Sequence, residues 1–88
     1  MAQARTSKEK GFQDGRYRAL VGKLVEARKE AGLSQDALAS RLGRHQQFVS
    51  RYEIGERRLD IVEFIDICRA LGLDISILKV VSGVDAGE

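Results

Sequence analysis

Residues 35–53 read QDALASRLGRHQQFVSRYE, and this stretch decides how the rest of the chain is interpreted. It predicts two short helices, at residues 35–42 and at about residues 45–53, joined at Gly43. Ser34 precedes the first helix and can accept a hydrogen bond from one of its unpaired N–H groups. The apolar residues of that helix share one face: Leu38, Ala39 and Leu42. Gly43 ends the helix, because glycine adopts a left-handed backbone at the least cost.

The second helix of the stretch has an apolar side and a polar side. At about 100° per residue, Val49 and Tyr52 share one side with His45. The opposite arc carries two amides, a hydroxyl and a guanidinium, and no carboxylate: Gln46, Gln47, Ser50 and Arg51. Glutamine pairs with adenine and arginine with guanine in a major groove. These four residues are therefore candidate base contacts, with phosphate contact as the alternative for Ser50. Phe48 is expected to pack on Tyr52 rather than to touch a thymine methyl.

These residues resemble the helix-turn-helix of the Cro and phage-repressor (XRE-like) family, which includes many small bacterial regulators. The matching string is Leu33-Ser34-Gln35-x2-Leu38-Ala39-x2-Leu42-Gly43, followed by Val49-Ser50-Arg51-Tyr52-Glu53-x-Gly55. Its signature positions are Ala39, Gly43 and Val49, and the similarity covers roughly residues 20–78. The resemblance implies an all-α bundle of five helices of the lambda-repressor type, with the second and third helices forming the motif. It also implies sequence-specific binding to double-stranded DNA by a transcription regulator, with repression of a nearby promoter as the expected role.

The resemblance also assigns roles outside the polar arc of the second motif helix. The candidate phosphate contacts are Gln35, Arg44, His45, Arg57 and Arg58. His45 departs from the usual Ser or Thr of the family and is a poor N-cap, so Arg44 is expected to compensate by binding a phosphate. Arg28 and Glu53 occupy two positions that the family joins in a largely buried ion pair. That pair would set the angle at which the second motif helix meets DNA.

Length and composition favour one small DNA-binding domain. The chain has 88 residues, of which 43% are hydrophobic, and no apolar run of about 18 residues that would suggest a membrane span. Residues 1–53 contain 11 Lys or Arg against 6 Asp or Glu, whereas residues 54–88 contain 4 against 7. Such an asymmetry of charge favours a protein that binds a polyanion at one end. We interpret residues 16–82 as the domain, with a flexible basic tail at residues 1–15 and a second tail at residues 83–88.

Other classes of function find little support. With a single Cys68 and a single His45 we expect no structural zinc site, and neither a nucleophile–base spacing nor a glycine-rich phosphate loop suggests an enzyme. We therefore expect no catalysis, cofactor, small-molecule ligand or membrane contact, and a cytoplasmic, nucleoid-associated protein. Cys68 is expected to be a core residue rather than a redox sensor. The alternative function is a protein-interaction module, or an antitoxin component, built on the same bundle.

The remaining segments complete the predicted bundle. A first helix is expected from residue 14 or 15 to residue 31, and a loop at residues 54–59. A fourth helix should begin at Asp60, which has capping-box spacing to Glu63. Its apolar stripe is wide: Ile61, Phe64, Ile65, Cys68 and Leu71, with Ile67 beside it. The last helix is expected at residues 74–81, although its β-branched residues keep a short strand open as the rival interpretation.

The C-terminal segment is also the predicted dimer interface. One recognition helix reads too few base pairs to find a single site in a genome, and relatives of this size pair to place two helices in successive major grooves. If residues 75–81 are helical, Leu78 should face inward. The residues left for a two-fold contact are Ile75, Ile77, Val80 and Val81. The partners predicted from sequence are thus a palindromic DNA operator and a second copy of the chain, unless Ile77 and Val81 instead cap the fourth helix within one monomer.

Overall fold

The structure of the protein, a computed structural model, describes residues 14–82, and describes residues 80–82 by their backbone alone. Within this range the chain forms five α-helices and no strand: α1 (Gly15–Glu30), α2 (Gln35–Leu42), α3 (Gln46–Glu53), α4 (Ile61–Leu71) and α5 (Ile77–Ser82). The all-α class and the helical interpretation of the last segment are confirmed. The predicted tails lie outside the described residues, except that Asp14 and Gly15 already belong to the start of α1.

Capping side chains explain where most of the helices begin. The Asp14 carboxylate accepts a hydrogen bond from the Arg16 backbone N–H at 2.8 Å, and Ser34 accepts one from the Ala37 N–H at 3.0 Å. Each satisfies an N–H group that the helix itself leaves unpaired. His45 occupies the N-cap position of α3 without a side-chain capping bond. The start of α3 is therefore held by its packing on neighbouring helices more than by its cap.

Helix α4 begins with the predicted capping box. The Glu63 N–H donates to Asp60 at 2.7 Å, and the Asp60 N–H donates back to the Glu63 carboxylate at 3.0 Å. The buried stripe of α4 is narrower than predicted, because Ile61 and Ile65 are 64% and 38% exposed. The buried arc of α4 consists only of residues spaced i, i+3 and i+4, as one packed face of a helix requires: Phe64, Ile67 and Cys68.

One hydrophobic core joins the first four helices. Its buried members are Val21, Leu24, Leu38, Ala39, Phe48, Val49, Tyr52, Phe64, Ile67 and Cys68. Helix α1 runs along α3, α4 and α5, while α2 packs against α3 and α4. Helix α3 is thus held from two sides. Within the described range, no helix has the length and apolar character needed to cross a bilayer.

The last helix is shorter than predicted and packs on the first helix. Asp74 accepts a hydrogen bond from the Ser76 N–H at 2.8 Å, and this local turn delays the start of α5 to Ile77. The helix packs against α1, not chiefly against α4. Leu78 contacts the core as expected, but Ile77 does so too and is only partly exposed. Ile77 therefore offers less surface to a partner than its sequence position suggested, while Ile75 is 49% exposed.

Candidate nucleic-acid interface

Helices α2 and α3 form the helix-turn-helix motif, and Gly43 lies at its turn. Gly43 has φ 68°, in the left-handed region, and its N–H donates to the Ser40 carbonyl at 3.1 Å. Ala39 is buried on α2, where its small side chain lets α3 approach closely, and Val49 is fully buried on α3. Of the three predicted signature residues, Gly43 thus forms the exposed turn, while Ala39 and Val49 belong to the core shared by the two helices.

The polar arc of α3 faces away from this core. Gln46, Gln47 and Arg51 are exposed, and Ser50 is partly exposed. Val49 and Tyr52 lie on the opposite side, each fully buried, so packing fixes the rotation of the helix about its own axis. The described arc carries amide, hydroxyl and guanidinium groups without a carboxylate. It can donate hydrogen bonds to base edges without the repulsion that a negative charge would bring.

A buried ion pair joins α1 to the end of α3. Arg28 donates to the Glu53 carboxylate through Nε at 2.7 Å and through Nη2 at 3.1 Å, and its Nη1 donates to the Leu33 carbonyl at 2.7 Å. The two side chains are only 10% and 6% exposed. This pairing raises the pKa of the Arg28 guanidinium, although burial opposes the shift. The expected pair is therefore present, and it ties the presentation of α3 to the first helix.

The same carboxylate extends the network to the exposed polar arc of α3. Gln35, the first residue of α2, donates from Nε2 to Glu53 at 2.9 Å, and its Oε1 accepts a hydrogen bond from Gln46 at 3.2 Å. A continuous chain of hydrogen bonds thus runs from α1 to the first residue of α3. Gln35 lies at the N-terminus of a helix, where free N–H groups and the helix dipole favour an anion.

A second charged cluster lies beside the motif, around Glu63 of α4. Arg57 binds the Glu63 carboxylate with two hydrogen bonds of 2.8 Å, and Arg44 Nη1 lies 3.4 Å from the same carboxylate. Arg57 holds the pKa of Glu63 at about 2, below its ordinary value of 4.5. The sequence indicated Glu63 only as a capping residue. Glu63 and Arg44 are 19 residues apart in the sequence, so no local sequence pattern predicts their contact.

The loop after α3 is attached to the first helix by a contact that the sequence did not reveal. The Leu59 N–H donates to the Tyr17 hydroxyl at 3.0 Å, and the Arg58 guanidinium lies over the Tyr17 ring at 5.0 Å from its centroid. Tyr17 lies in the first turn of α1 and is partly buried. Through it, the loop that carries Arg57 and Arg58 is fixed relative to the motif.

Comparison with known proteins agrees with this geometry. A family model described as helix-turn-helix matches residues 24–78. A solved structure titled "XRE-family like protein from Pseudomonas syringae pv. tomato str. DC3000" is 44% identical, with a TM-score of 0.73, over 98% of this chain and 96% of that chain. The chain belongs to the XRE-type helix-turn-helix family. A search of curated proteins finds no match.

Membership makes the chain a helix-turn-helix, DNA-binding regulator, in a family of regulators rather than of enzymes. In this XRE-type regulator the predicted base-contact residues share the exposed arc of α3. The predicted phosphate contacts are more dispersed. Gln35, Arg44 and His45 flank the start of α2 or α3, and Arg57 and Arg58 lie in the following loop. Arg57 is engaged by Glu63 within the protein, which the sequence did not indicate.

Proposed function

We propose that this XRE-type regulator recognises a specific double-stranded DNA site through α3 and acts as a repressor at a nearby promoter. Gln46, Gln47 and Arg51 would read base edges, and Ser50 would contact a base or a phosphate. The observation that carries the proposal is the exposed arc of α3, which lacks a carboxylate and is backed by fully buried residues. Such a face enters a major groove as a rigid unit, so its donors meet the base pairs in one register.

The proposed phosphate contacts surround this arc. Gln35 presents the N-terminus of α2, while Arg44 and His45 precede α3, and Arg57 and Arg58 follow it. Contacts before and after the recognition helix would fix its depth and angle in the groove without reading sequence. The protein would bind DNA in the cytoplasm, on the nucleoid.

Alanine substitutions distinguish the two groups of residues. Gln46→Ala, Gln47→Ala and Arg51→Ala should each weaken binding to the preferred site by about 1–3 kcal/mol and relax preference at particular base pairs. Arg58→Ala should weaken binding to all duplexes equally and flatten the dependence of log affinity on log salt by about one. Fluorescence anisotropy with a preferred and a mixed-sequence duplex measures both effects. Equal losses on both duplexes for the α3 variants would contradict the assignment.

We also propose that the protein binds a palindromic operator as a two-fold dimer through its C-terminal segment. The predicted interface residues are Ile75, Ile77, Val80 and Val81. The exposed Ile75 supports this proposal, while the partial burial of Ile77 reduces its share of the surface. The side chains of Val80 and Val81 lie outside the described residues. Ile75→Glu is therefore the better test than Ile77→Glu, because it leaves the core intact.

Sedimentation velocity at micromolar concentration measures the oligomeric state directly. The proposal expects a dimer for the wild type, and a folded monomer with weakened operator binding for Ile75→Glu. Thermal denaturation of the same samples checks that the variant is folded. A wild-type monomer that binds one non-palindromic half-site with undiminished affinity would contradict the dimer.

A protein-interaction or antitoxin role is the second candidate, and one surface favours it. Ile61 and Val62, on the exposed side of α4, are 64% and 61% exposed, and Ile65 lies one turn after Ile61. Neighbouring apolar residues at a surface often mark a contact with another protein. If the adaptor role were the whole function, the combined alanine substitution of Gln46, Gln47 and Arg51 would leave the function of the protein unchanged.

A further inference from the structure

Glu63 connects two arginines that lie on either side of the recognition helix in sequence. Arg44 precedes α3 and Arg57 follows it, yet both contact the carboxylate that begins α4. Arg44 Nη1 and Arg57 Nη2 approach the same oxygen, Oε2, at 3.4 and 2.8 Å. The Glu63 side chain is only 12% exposed, whereas the two arginine side chains are 40% and 38% exposed. The carboxylate therefore lies beneath two cations that remain open to solvent.

The Phe48 ring supports the same two cations. The Arg44 guanidinium carbon lies 3.9 Å from the ring centroid, and that of Arg57 lies 4.9 Å from it. Phe48 is itself buried, and its ring contacts the Tyr52 ring with the centroids 5.4 Å apart. A guanidinium between a carboxylate and an aromatic face is restrained in both position and orientation. Each arginine therefore has two independent restraints before any ligand arrives.

The donors that remain on the two guanidinium groups suit a phosphate. A guanidinium has five N–H groups. Arg57 uses Nη1 and Nη2 towards Glu63, and Nη1 also donates to the Arg58 carbonyl at 3.2 Å. Arg44 uses Nη1 alone. Neither arginine donates from Nε to any described residue. Each Nη2 carries two N–H groups, and Arg57 directs only one of them to Glu63. Each arginine therefore keeps an edge formed by Nε and Nη2, and such an edge binds a phosphate with two parallel hydrogen bonds.

We propose that Arg44 and Arg57 form a single clamp for one DNA phosphate and that Glu63 is its positioning residue. The inference rests on the proposed function, because it assumes that this side of the motif meets DNA. It goes further by making the two arginines one coupled site. It also gives a carboxylate, which repels DNA, a favourable role in binding DNA.

Glu63 should affect the affinity for DNA in two opposite directions, so the sign of the measured change shows which effect is larger. Its negative charge repels a phosphate, so charge alone predicts that removing it tightens binding. Its hydrogen bonds order two long side chains in advance, and losing that order weakens binding by about two- to twelvefold for each side chain. The two arginine side chains are 40% and 38% exposed, so dissolved salt partly screens the repulsion. The clamp therefore predicts a net loss when Glu63 is neutralised.

The experiment measures binding of the full chain to a fluorescein-labelled, mixed-sequence DNA duplex across a range of salt concentrations. Glu63→Gln removes the charge but retains the capping box, since glutamine also serves at that position. The clamp predicts binding weakened about three- to tenfold. Asp66→Asn is the matched control, because Asp66 is an exposed carboxylate on the same helix without an ion pair to the described residues. It changes net charge equally and should leave affinity unchanged or slightly higher.

Arg44→Ala, Arg57→Ala and their combination test the coupling without altering Glu63. One shared phosphate predicts that the combined variant flattens the salt dependence by about one, whereas two separate phosphates predict about two. A slope change of two would overturn the single clamp. Equal or tighter binding by folded Glu63→Gln would overturn the role of Glu63. A wild-type protein that binds no duplex would overturn the proposed function itself.

Discussion

Replacement of Glu53 by glutamine should destabilise the protein severely, although the two side chains have nearly the same shape. The Glu53 carboxylate accepts hydrogen bonds from Arg28 Nε at 2.7 Å, from Arg28 Nη2 at 3.1 Å and from Gln35 Nε2 at 2.9 Å. A glutamine amide would turn an N–H group towards at least one of these donors. It would also leave the charge of Arg28, whose side chain is 10% exposed, without a counter-charge.

The expected loss follows from this burial. Breaking one side of a buried, hydrogen-bonded pair costs about 3–5 kcal/mol. At about 0.05–0.15 kcal/mol per residue, a chain of 88 residues has a total stability of about 4–13 kcal/mol. The variant should therefore lose a large part of its stability. Its melting temperature should fall by at least about 12 °C, since 1 kcal/mol corresponds to about 4–8 °C in a domain of this size.

Urea denaturation followed by circular dichroism measures the free energy of unfolding. Glu26→Gln is the matched control, because it breaks a pair with Lys23 that is exposed and 3.9 Å long, and it should cost less than about 0.5 kcal/mol. The double replacement Arg28→Met with Glu53→Met should recover part of the loss, since no buried charge remains. A loss below about 1 kcal/mol for Glu53→Gln would refute the argument that burial makes this pair essential.

Three further predictions follow from buried or paired groups. Because Arg57 lowers the pKa of Glu63 from 4.5 to about 2, the ionised pair stabilises the fold fully above pH 4.5, and this contribution is lost as pH falls through 2. The difference in unfolding free energy between wild type and Glu63→Gln should therefore shrink across that interval, and a constant difference would contradict it. The fully buried Tyr52 hydroxyl has no hydrogen-bond partner among the described residues, so Tyr52→Phe should retain or raise the melting temperature, and a loss above about 1 kcal/mol would indicate a missed partner. Burial raises the pKa of the Cys68 thiol, so a thiol reagent should modify it no faster than the protein unfolds, and rapid labelling of the native protein would contradict this.

Local sequence rules predicted the motif because its determinants are local. Ser34 accepts a hydrogen bond from the N–H group three residues later, Gly43 supplies a left-handed turn, and the buried Val49 and Tyr52 follow a helical period. The capping box of Asp60 and Glu63 is equally short-range. The Arg28–Glu53 pair spans 25 residues, and it was expected only from the family resemblance.

The errors and omissions arose where distant segments decide the outcome. Ile61 was expected inside because an apolar residue at helical spacing suggests burial, but no other helix within residues 14–82 covers that side of α4 sufficiently. The partial burial of Ile77 depends on α1, more than forty residues earlier in the sequence. The contacts of Glu63 with Arg44 and Arg57 depend on the way α4 packs beside the motif. Periodicity and spacing within one segment carry no information about such contacts.

Selection of DNA sites from a randomised duplex library tests the central claim most directly. The wild-type protein should enrich a defined sequence, arranged as two inverted half-sites about one helical turn apart. The variant combining Gln46→Ala, Gln47→Ala and Arg51→Ala should bind DNA with little sequence enrichment, while circular dichroism shows an unchanged helical fold. Enrichment of the same sequence by this variant would contradict the claim that the exposed arc of α3 reads DNA.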